Sequence, residues 1–170
     1  MRKKIGYGIA IGAYLFVLLN PFQIALPKLV FVNMTESLPR GIYLAIPGFG
    51  IRDGDIVAFA EEDRVMETIY QNGWMKEGDN PAFVKYAALA GSRYSVDAQN
   101  LRFKVNEKWI GTAYLEDGKG HSLTPQFGAH QVEEGRFLPY TYADRSYDGR
   151  YTGTISMNRI YARVIPLVTI

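Results

Sequence analysis

The first thirty residues carry an apolar pattern that the rest of the chain lacks. From Ile5 to Phe22 the sequence reads IGYGIAIGAYLFVLLNPF, in which Asn20 is the only strongly polar residue. A helix of about 18 residues spans about 27 Å, which is close to the roughly 30 Å hydrocarbon core of a bilayer. The pattern therefore predicts one transmembrane helix over about residues 5–22, within an N-terminal membrane anchor of residues 1–30.

The charges that flank this stretch predict its orientation. Arg2, Lys3 and Lys4 precede it, and basic residues on one side of a span favour the cytoplasm for that side. The remainder of the chain is then expected across the membrane. A cleaved signal peptide is the alternative, but the stretch is long for one and no clear A-x-A cleavage site follows it. A buried core helix is less favoured, because the stretch has no polar face.

Residues 31–170 show a different pattern, in which short β-prone segments end at Gly, Asp or Pro. These segments are IRDGDIVAF, AFVKYAALA, SRYSV, LRFKVNEKWIG, GRFLPYTY and GTISMNRIYARVIPLV. Residues 61–73 favour a helix instead, since Val65 and Ile69 are four apart and Asn72-Gly73 can end the helix. The pattern predicts one mainly antiparallel β domain with one or two short helices.

Composition supports this class and narrows the chemistry. The chain has 17 glycines and 14% aromatic residues, which suits a β-rich domain with many turns. It has no cysteine, which excludes disulfides, cysteine-ligated zinc and thiol catalysis. Two histidines also disfavour a histidine-based metal site. We therefore predict neither a metal nor a cofactor.

The charge distribution argues against nucleic acid as a partner. Four of the 19 basic residues precede residue 31, which leaves 15 against all 17 acidic residues in 31–170, a balance of −2. A nucleic-acid-binding domain typically carries a basic face instead. The body is mildly acidic, and the basic cluster belongs to the N-terminus.

A serine in the stretch NMTESLPRGIY is a candidate nucleophile. Ser37 stands near Pro39 and Gly41, which place it at the mouth of a turn. A serine hydroxyl needs a base to remove its proton. His121 and His130 lie in the stretch GHSLTPQFGAH, which we interpret as a loop. Nothing near them in the sequence resembles a base with an orienting group.

Lys85 is the more informative candidate for the base. It shares one strand face with Phe83 and Ala87, while the opposite face is also apolar, so the amine has no obvious route to water. Desolvation disfavours the ammonium ion and lowers the lysine pKa, which can make a lysine a general base. On the pattern alone, a lysine that protects a sheet edge or one that snorkels to the surface is the more common interpretation.

The stretch ADRSYDGRYTG, residues 143–153, is predicted to form a polar turn. Asp148-Gly149 marks the bend, and Ser146 can donate or accept a hydrogen bond. Asp148 can pair with Arg145 or Arg150, and we expect a surface ion pair of little energetic value.

Taken in order, these stretches resemble the serine–lysine signal peptidases, and among them the TraF-like conjugative transfer peptidases, which mature pilin precursors. The resemblance rests on the anchor, N-x-T-x-S-x-P-x-G-x-Y, GDIVAF, the lysine in an apolar strand, and RSYDGRYTG. Other leader peptidases have Ser-Met-x-Pro, whereas the Pro-x-Gly form here indicates the conjugative branch. The resemblance implies a coiled antiparallel β-sheet peptidase domain over residues 31–170.

The resemblance also implies roles for individual residues. Ser37 matches the nucleophile and Lys85 the general base. Thr35 matches the hydroxyl that contributes to the oxyanion hole, together with the backbone amide of Ser37. Ser146 matches the serine that orients the lysine amine. The segment that buttresses this part of the site matches Asp148, Arg150, Tyr151 and Gly153.

The implied function is a membrane-anchored serine endopeptidase that cleaves a pilin or another exported precursor after small residues. The anchor would contact lipid of the bacterial inner membrane, with a cytoplasmic N-terminus and a periplasmic catalytic domain. Both hydrolysis and head-to-tail closure of the precursor are open. A general leader peptidase is an alternative, as is a non-enzymatic anchored β domain in a secretion or pilus complex. The sequence indicates no oligomeric state.

Overall fold

The computed structural model describes residues 29–48, 50–79 and 81–170. The predicted span over residues 5–22 lies outside these ranges. Within them, no helix is both long enough and apolar enough to cross a bilayer.

Two antiparallel sheets and two short α-helices make up the described structure. The strands are β1 (Val30–Asn33), β2 (Gly41–Ala45), β3 (Ile56–Phe59), β4 (Phe83–Ala88), β5 (Arg93–Val96), β6 (Arg102–Val105), β7 (Lys108–Thr112), β8 (Gly128–Gln131), β9 (Arg136–Tyr140), β10 (Ile155–Ser156) and β11 (Ile160–Thr169). The helices are α1 (Asp63–Gln71) and α2 (Gly149–Thr152), with a 3₁₀ turn at Met157–Arg159. The prediction of a mainly β, antiparallel domain with few helices is confirmed.

The larger sheet has the strand order β1-β2-β11-β3-β4-β9-β10, and the smaller one has the order β7-β6-β5-β8. The long strand β11 curls the larger sheet, because its first part pairs with β3 and its second part with β2. Register shifts in both pairings bend the strand. As a result, β4 is an interior strand, with β3 on one side and β9 on the other.

Helix α1 forms where its hydrophobic period predicts it. Val65, Met66 and Ile69 turn one face into the core. Asn72 caps the C-terminus, and Gly73 follows with a φ of 62°, which glycine adopts at little cost. The helix, predicted within residues 61–73, is thus confirmed.

Two segments differ from their predicted form. The stretch LRFKVNEKWIG is a hairpin of β6 and β7, with Asn106 and Glu107 at φ values of 48° and 62° in the tight turn. The last three residues of the predicted loop GHSLTPQFGAH belong to β8, so placing His130 in a loop was wrong. Residues 128–131 form a strand because β5 supplies the pairing partner, which the local sequence does not show.

The edge of the larger sheet exposes an apolar face. Val32 lies opposite Ile42, which lies opposite Val168, so the three side chains share one face across β1, β2 and β11. The exposed apolar residues of these strands and their flanks include Leu29, Val30, Val32, Met34, Ile42, Ile165, Leu167, Val168 and Ile170. A contiguous apolar patch of this kind indicates an interaction with a membrane or a partner.

Candidate active site

Three polar side chains from distant parts of the chain meet beside the larger sheet. Ser37 lies in the turn between β1 and β2, Lys85 lies in β4, and Ser146 precedes α2. The Lys85 Nζ donates to Ser146 Oγ at 2.9 Å and to Ser37 Oγ at 3.2 Å. The two serine hydroxyl oxygens are 3.1 Å apart. This geometry places a serine hydroxyl within hydrogen-bond reach of an amine, as proton transfer requires.

Lys85 is held in an environment that favours its neutral form. Its side chain is 3% exposed, and β4 is an interior strand, so the edge-strand and snorkelling interpretations were wrong. Burial lowers the pKa of Lys85, because an ammonium ion loses its hydration there. The charges of Asp148 and Glu61 oppose this effect, while the charge of Arg150 adds to it. Burial is the largest of these effects, so the amine is neutral and can accept a proton at a pH closer to 7 than an exposed lysine requires.

A buried asparagine holds the turn that carries Ser37. Asn33, 4% exposed, donates from Nδ2 to the carbonyl oxygens of Leu38 at 2.9 Å and Pro39 at 3.2 Å. Its Oδ1 accepts from the Thr35 hydroxyl at 2.8 Å and from the Thr35 amide at 3.2 Å. One side chain thus fastens both sides of the turn. No role for Asn33 is predicted from the sequence above, although asparagine before a turn is a usable signal.

Gly41, the glycine of the Pro-x-Gly stretch, has a steric reason to be there. Its φ is 148°, and a Cβ at this position would lie 2.0 Å from the Val168 carbonyl oxygen. Only glycine lets the start of β2 approach β11 this closely. The turn therefore leaves the sheet at a fixed point.

Thr35, Ser37 and Ser146 line one cleft of about 600 Å³, together with Glu36 and the segment 143–147. Thr35 is exposed, and its hydroxyl donates to Asn33. To face an oxyanion above Ser37, this hydroxyl would have to rotate away from Asn33. The oxyanion role of Thr35 stays a prediction.

Asp148 and Arg150 form a buried ion pair. Both side chains are 0% exposed, with Arg150 Nε 2.9 Å from Asp148 Oδ1 and Nη2 3.2 Å from Oδ2. Asp148 also accepts from the backbone amides of Thr141 and Arg150. The expectation of a surface ion pair was wrong, because the segment folds inward as the start of α2 rather than as an exposed turn.

The Arg150 guanidinium ties together the loop that carries Ser146. Its Nη1 donates to the carbonyl oxygens of Thr112 and Asp144, and its Nη2 donates to those of Thr141 and Ala143. Residues 141–144 are thus anchored to β7 and to Asp148. Because Ser146 lies only two residues beyond Asp144, this network fixes the backbone near the serine whose hydroxyl accepts from Lys85.

Glu61 is a second buried ionisable group that the sequence analysis missed. It follows β3, the strand paired with β4, and is 3% exposed. Within the described residues, its Oε2 has no hydrogen-bond partner. Burial raises the pKa of Glu61 to about 7, even though the Lys85 charge acts in the opposite direction. The sequence signal was weak, since two glutamates before a helix usually read as an acidic first turn.

The histidines lie elsewhere. His121 Nδ1 is 2.7 Å from Asp117 Oδ2, so the expectation that no orienting group lies near was wrong for this residue. Neither histidine lines the cleft of Ser37 in the part of the chain that the structure describes. The same part contains no cluster of three acidic or histidine side chains suited to a metal ion.

A comparison with protein-family models identifies the family of this chain. The family model described as signal peptidase, peptidase S26, matches residues 3–168. The chain belongs to the S26 signal peptidase family. Members of this family are serine peptidases of the signal-peptidase type, which implies a precursor protein as substrate. No curated protein matches this S26 chain.

Proposed function

We propose that this S26 protein is a TraF-like, membrane-anchored serine endopeptidase that cleaves a conjugative pilin or a similar exported precursor. The observation that carries the proposal is the 3.2 Å contact between the buried Lys85 amine and the Ser37 hydroxyl. Ser37 is the nucleophile and Lys85 the general base. Ser146, at 2.9 Å from the amine, orients Lys85.

The first half of the reaction forms an ester. Neutral Lys85 takes the hydroxyl proton as Ser37 Oγ bonds to the scissile carbonyl carbon. The Ser37 amide and the Thr35 hydroxyl donate to the oxyanion. The carbon–nitrogen bond then breaks, and the Lys85 ammonium gives its proton to the leaving amine. The part of the precursor before the cut remains attached to Ser37.

The second half releases this part. Lys85 removes a proton from water, or from the precursor's own α-amine, as that nucleophile attacks the ester and Ser37 recovers its proton. Water gives a linear product. An amine held in the cleft gives a head-to-tail peptide bond, favoured by its effective concentration. The product masses differ by one water molecule, so mass spectrometry distinguishes the two.

We place the catalytic domain on the periplasmic side of the bacterial inner membrane. The support is the basic N-terminus before the apolar stretch 5–22 and the exposed apolar face of β1, β2 and β11. This face begins seven residues after Phe22 along the chain, so it is near any membrane that the anchor enters. A lipid surface would cover the exposed valines and isoleucines.

Co-expression tests the proposal. The full chain is produced with a conjugative pilin precursor, or with an unrelated secreted precursor of matched length. The masses of the products are then measured by mass spectrometry. We expect the pilin precursor to be cut and the unrelated one to stay intact. Equal cutting of both would indicate a general leader peptidase. No cutting of either would favour a scaffold.

Replacing Asn33 with alanine is expected to lower kcat/KM about 100-fold, because a displacement of the nucleophile by about 1 Å has an effect of that size. The hydrogen bonds from Asn33 to both sides of the Ser37 turn are lost. Cleavage assays with circular dichroism as a folding check provide the measurement. Asn158, exposed in the 3₁₀ turn, gives the matched control Asn158→Ala. A wild-type rate for Asn33→Ala would show that the turn keeps Ser37 in position without the Asn33 side chain.

Replacing Glu61 with glutamine is expected to move the rising limb of the pH–rate profile to lower pH. Ionised Glu61 favours the Lys85 ammonium and raises its pKa, so a neutral amide leaves the lysine pKa lower still.

Glu61→Gln should also remove a pH dependence of the free energy of unfolding. The Glu61 pKa is higher in the folded state, so its stabilising contribution is complete below about pH 4.5 and is lost as the pH rises through about 7. Glu67→Gln, at an exposed site of α1, is the control. An unchanged pH–rate profile would show that the charge of Glu61 does not affect the pKa of Lys85.

A further inference from the structure

A second cavity opens directly beside the Ser37 cleft. It has a volume of about 350 Å³ and shares Arg145, Ser146 and Tyr147 with that cleft. Its other walls include Trp74, Tyr114 and Leu123. Because Ser146 Oγ lies 3.1 Å from Ser37 Oγ, the cavity begins next to the reacting hydroxyl.

Four of the residues that line this cavity are aromatic, and each of them packs against a neighbouring side chain. The Trp74 and Tyr147 rings meet edge to face at 4.8 Å, and Tyr147 stacks on Tyr151 at 5.4 Å. The Arg145 guanidinium lies 4.6 Å from the centre of the Tyr114 ring. Side chains that hold one another in this way form a pocket before a ligand enters.

Several polar groups at its rim are hydrogen-bonded to one another. Asp117 Oδ2 accepts from Trp74 Nε1 at 2.7 Å and contacts His121 Nδ1 at 2.7 Å. The Tyr151 hydroxyl accepts from the Tyr114 amide at 2.8 Å. These contacts fix the loop after β7, while Glu116 and Lys119 of the same loop add one charge of each sign to the lining.

We infer that this cavity, the aromatic pocket, is a specificity subsite that binds a phenylalanine-like side chain of the precursor near the scissile bond. The inference rests on the proposed function. An apolar cavity of about 150 Å³ holds a benzene ring, so the aromatic pocket accommodates a phenyl side chain with its backbone linkage. An extended chain advances about 3.3 Å per residue, and the shared wall at Ser146 limits the position to within about three residues of the cut. Aromatic rings gain from edge and stacked contacts with such walls beyond the area they bury.

A peptide series tests this inference with the full chain in detergent micelles. Internally quenched peptides carry alanine around the cut, and one position at a time is changed to Phe, Leu or Lys. We expect one position at which Phe raises kcat/KM about tenfold or more over Ala, the range found when a pocket contact is gained. Each variant is scored by its Phe-to-Ala ratio, which cancels differences in the folded fraction.

Two substitutions in the pocket should abolish the preference for Phe over Ala. Trp74→Ala removes an aromatic wall, and Leu123→Trp fills the space. Trp109→Ala removes an exposed tryptophan outside the pocket and should keep the ratio. A wild-type enzyme that cuts the alanine peptide without preferring Phe at any position overturns the subsite, as does a stronger preference for Leu or Lys. A ratio that survives both pocket variants also overturns it. Cleavage that persists in Ser37→Ala instead overturns the proposed function.

Discussion

Lys85→Arg is expected to abolish precursor cleavage while the domain stays folded. Arginine keeps the positive charge but does not lose its proton at any working pH, so it cannot accept the proton of Ser37. General-base catalysis contributes roughly 10²- to 10⁴-fold, and we expect a loss at the upper end because, among the described residues, the Ser37 hydroxyl has hydrogen bonds only with Lys85 and Ser146. Ser37→Ala should be equally inactive.

Matched variants separate catalysis from folding. Lys104→Arg makes the same change at a half-buried lysine of β6 and should leave the rate unchanged. Ser146→Ala should reduce the rate without abolishing it, because Ser146 orients the amine and takes no proton. Wild-type activity should rise with pH through the depressed pKa of Lys85. Substantial turnover by Lys85→Arg would exclude Lys85 as the base.

Lys85→Met offers a further readout. Methionine has nearly the same length but no charge to desolvate, so we expect a higher Tm together with loss of cleavage. A buried lysine that destabilises the fold is then retained for its chemistry. A lower Tm would indicate that Lys85 serves the structure instead.

Breaking the buried ion pair is the second large effect that we expect. Asp148→Ala leaves the Arg150 guanidinium buried without its carboxylate, and removing one partner of such a pair typically lowers the free energy of unfolding by about 3–5 kcal/mol. The loop that carries Ser146 depends on Arg150, so cleavage should fall as well. Urea unfolding of the full chain in micelles, followed by tyrosine and tryptophan fluorescence, provides the measurement.

The exposed pair Arg40–Glu36, at 2.9 Å, is the matched control. Glu36→Ala should change the free energy of unfolding by less than about 1 kcal/mol, since solvent screens exposed pairs. If Asp148→Ala and Glu36→Ala lower the free energy of unfolding by the same amount, the network around Arg150 does not stabilise the fold.

The sequence predicts most of the strand segments, because their short apolar runs end at Gly, Asp or Pro. It also shows that Lys85 has apolar neighbours on both strand faces. It does not show that β4 is interior, since that depends on pairing with β3 and β9. For the same reason β8 is missed, because its partner β5 lies more than thirty residues away.

The candidate site shows the same division. Family resemblance brings Ser37, Lys85 and Ser146 together, and their contacts of 2.9–3.2 Å are consistent with it. The burial of Arg150 is not visible locally, because the carbonyl groups it binds come from two separate segments of the chain. Glu61 reads as an ordinary acidic residue before a helix. Its significance depends on tertiary burial, which no local pattern reports.

The most direct test of the Ser37–Lys85 mechanism is the mass of the enzyme quenched in acid during turnover of a pilin precursor. The mechanism predicts a transient species heavier by the mass of the precursor fragment before the cut, less one water. Peptide mapping should locate the ester on Ser37, and Ser37→Ala and Lys85→Arg should show neither ester nor product. Cleavage of the precursor by Ser37→Ala at the wild-type rate, with no ester on the wild-type enzyme, would contradict the mechanism.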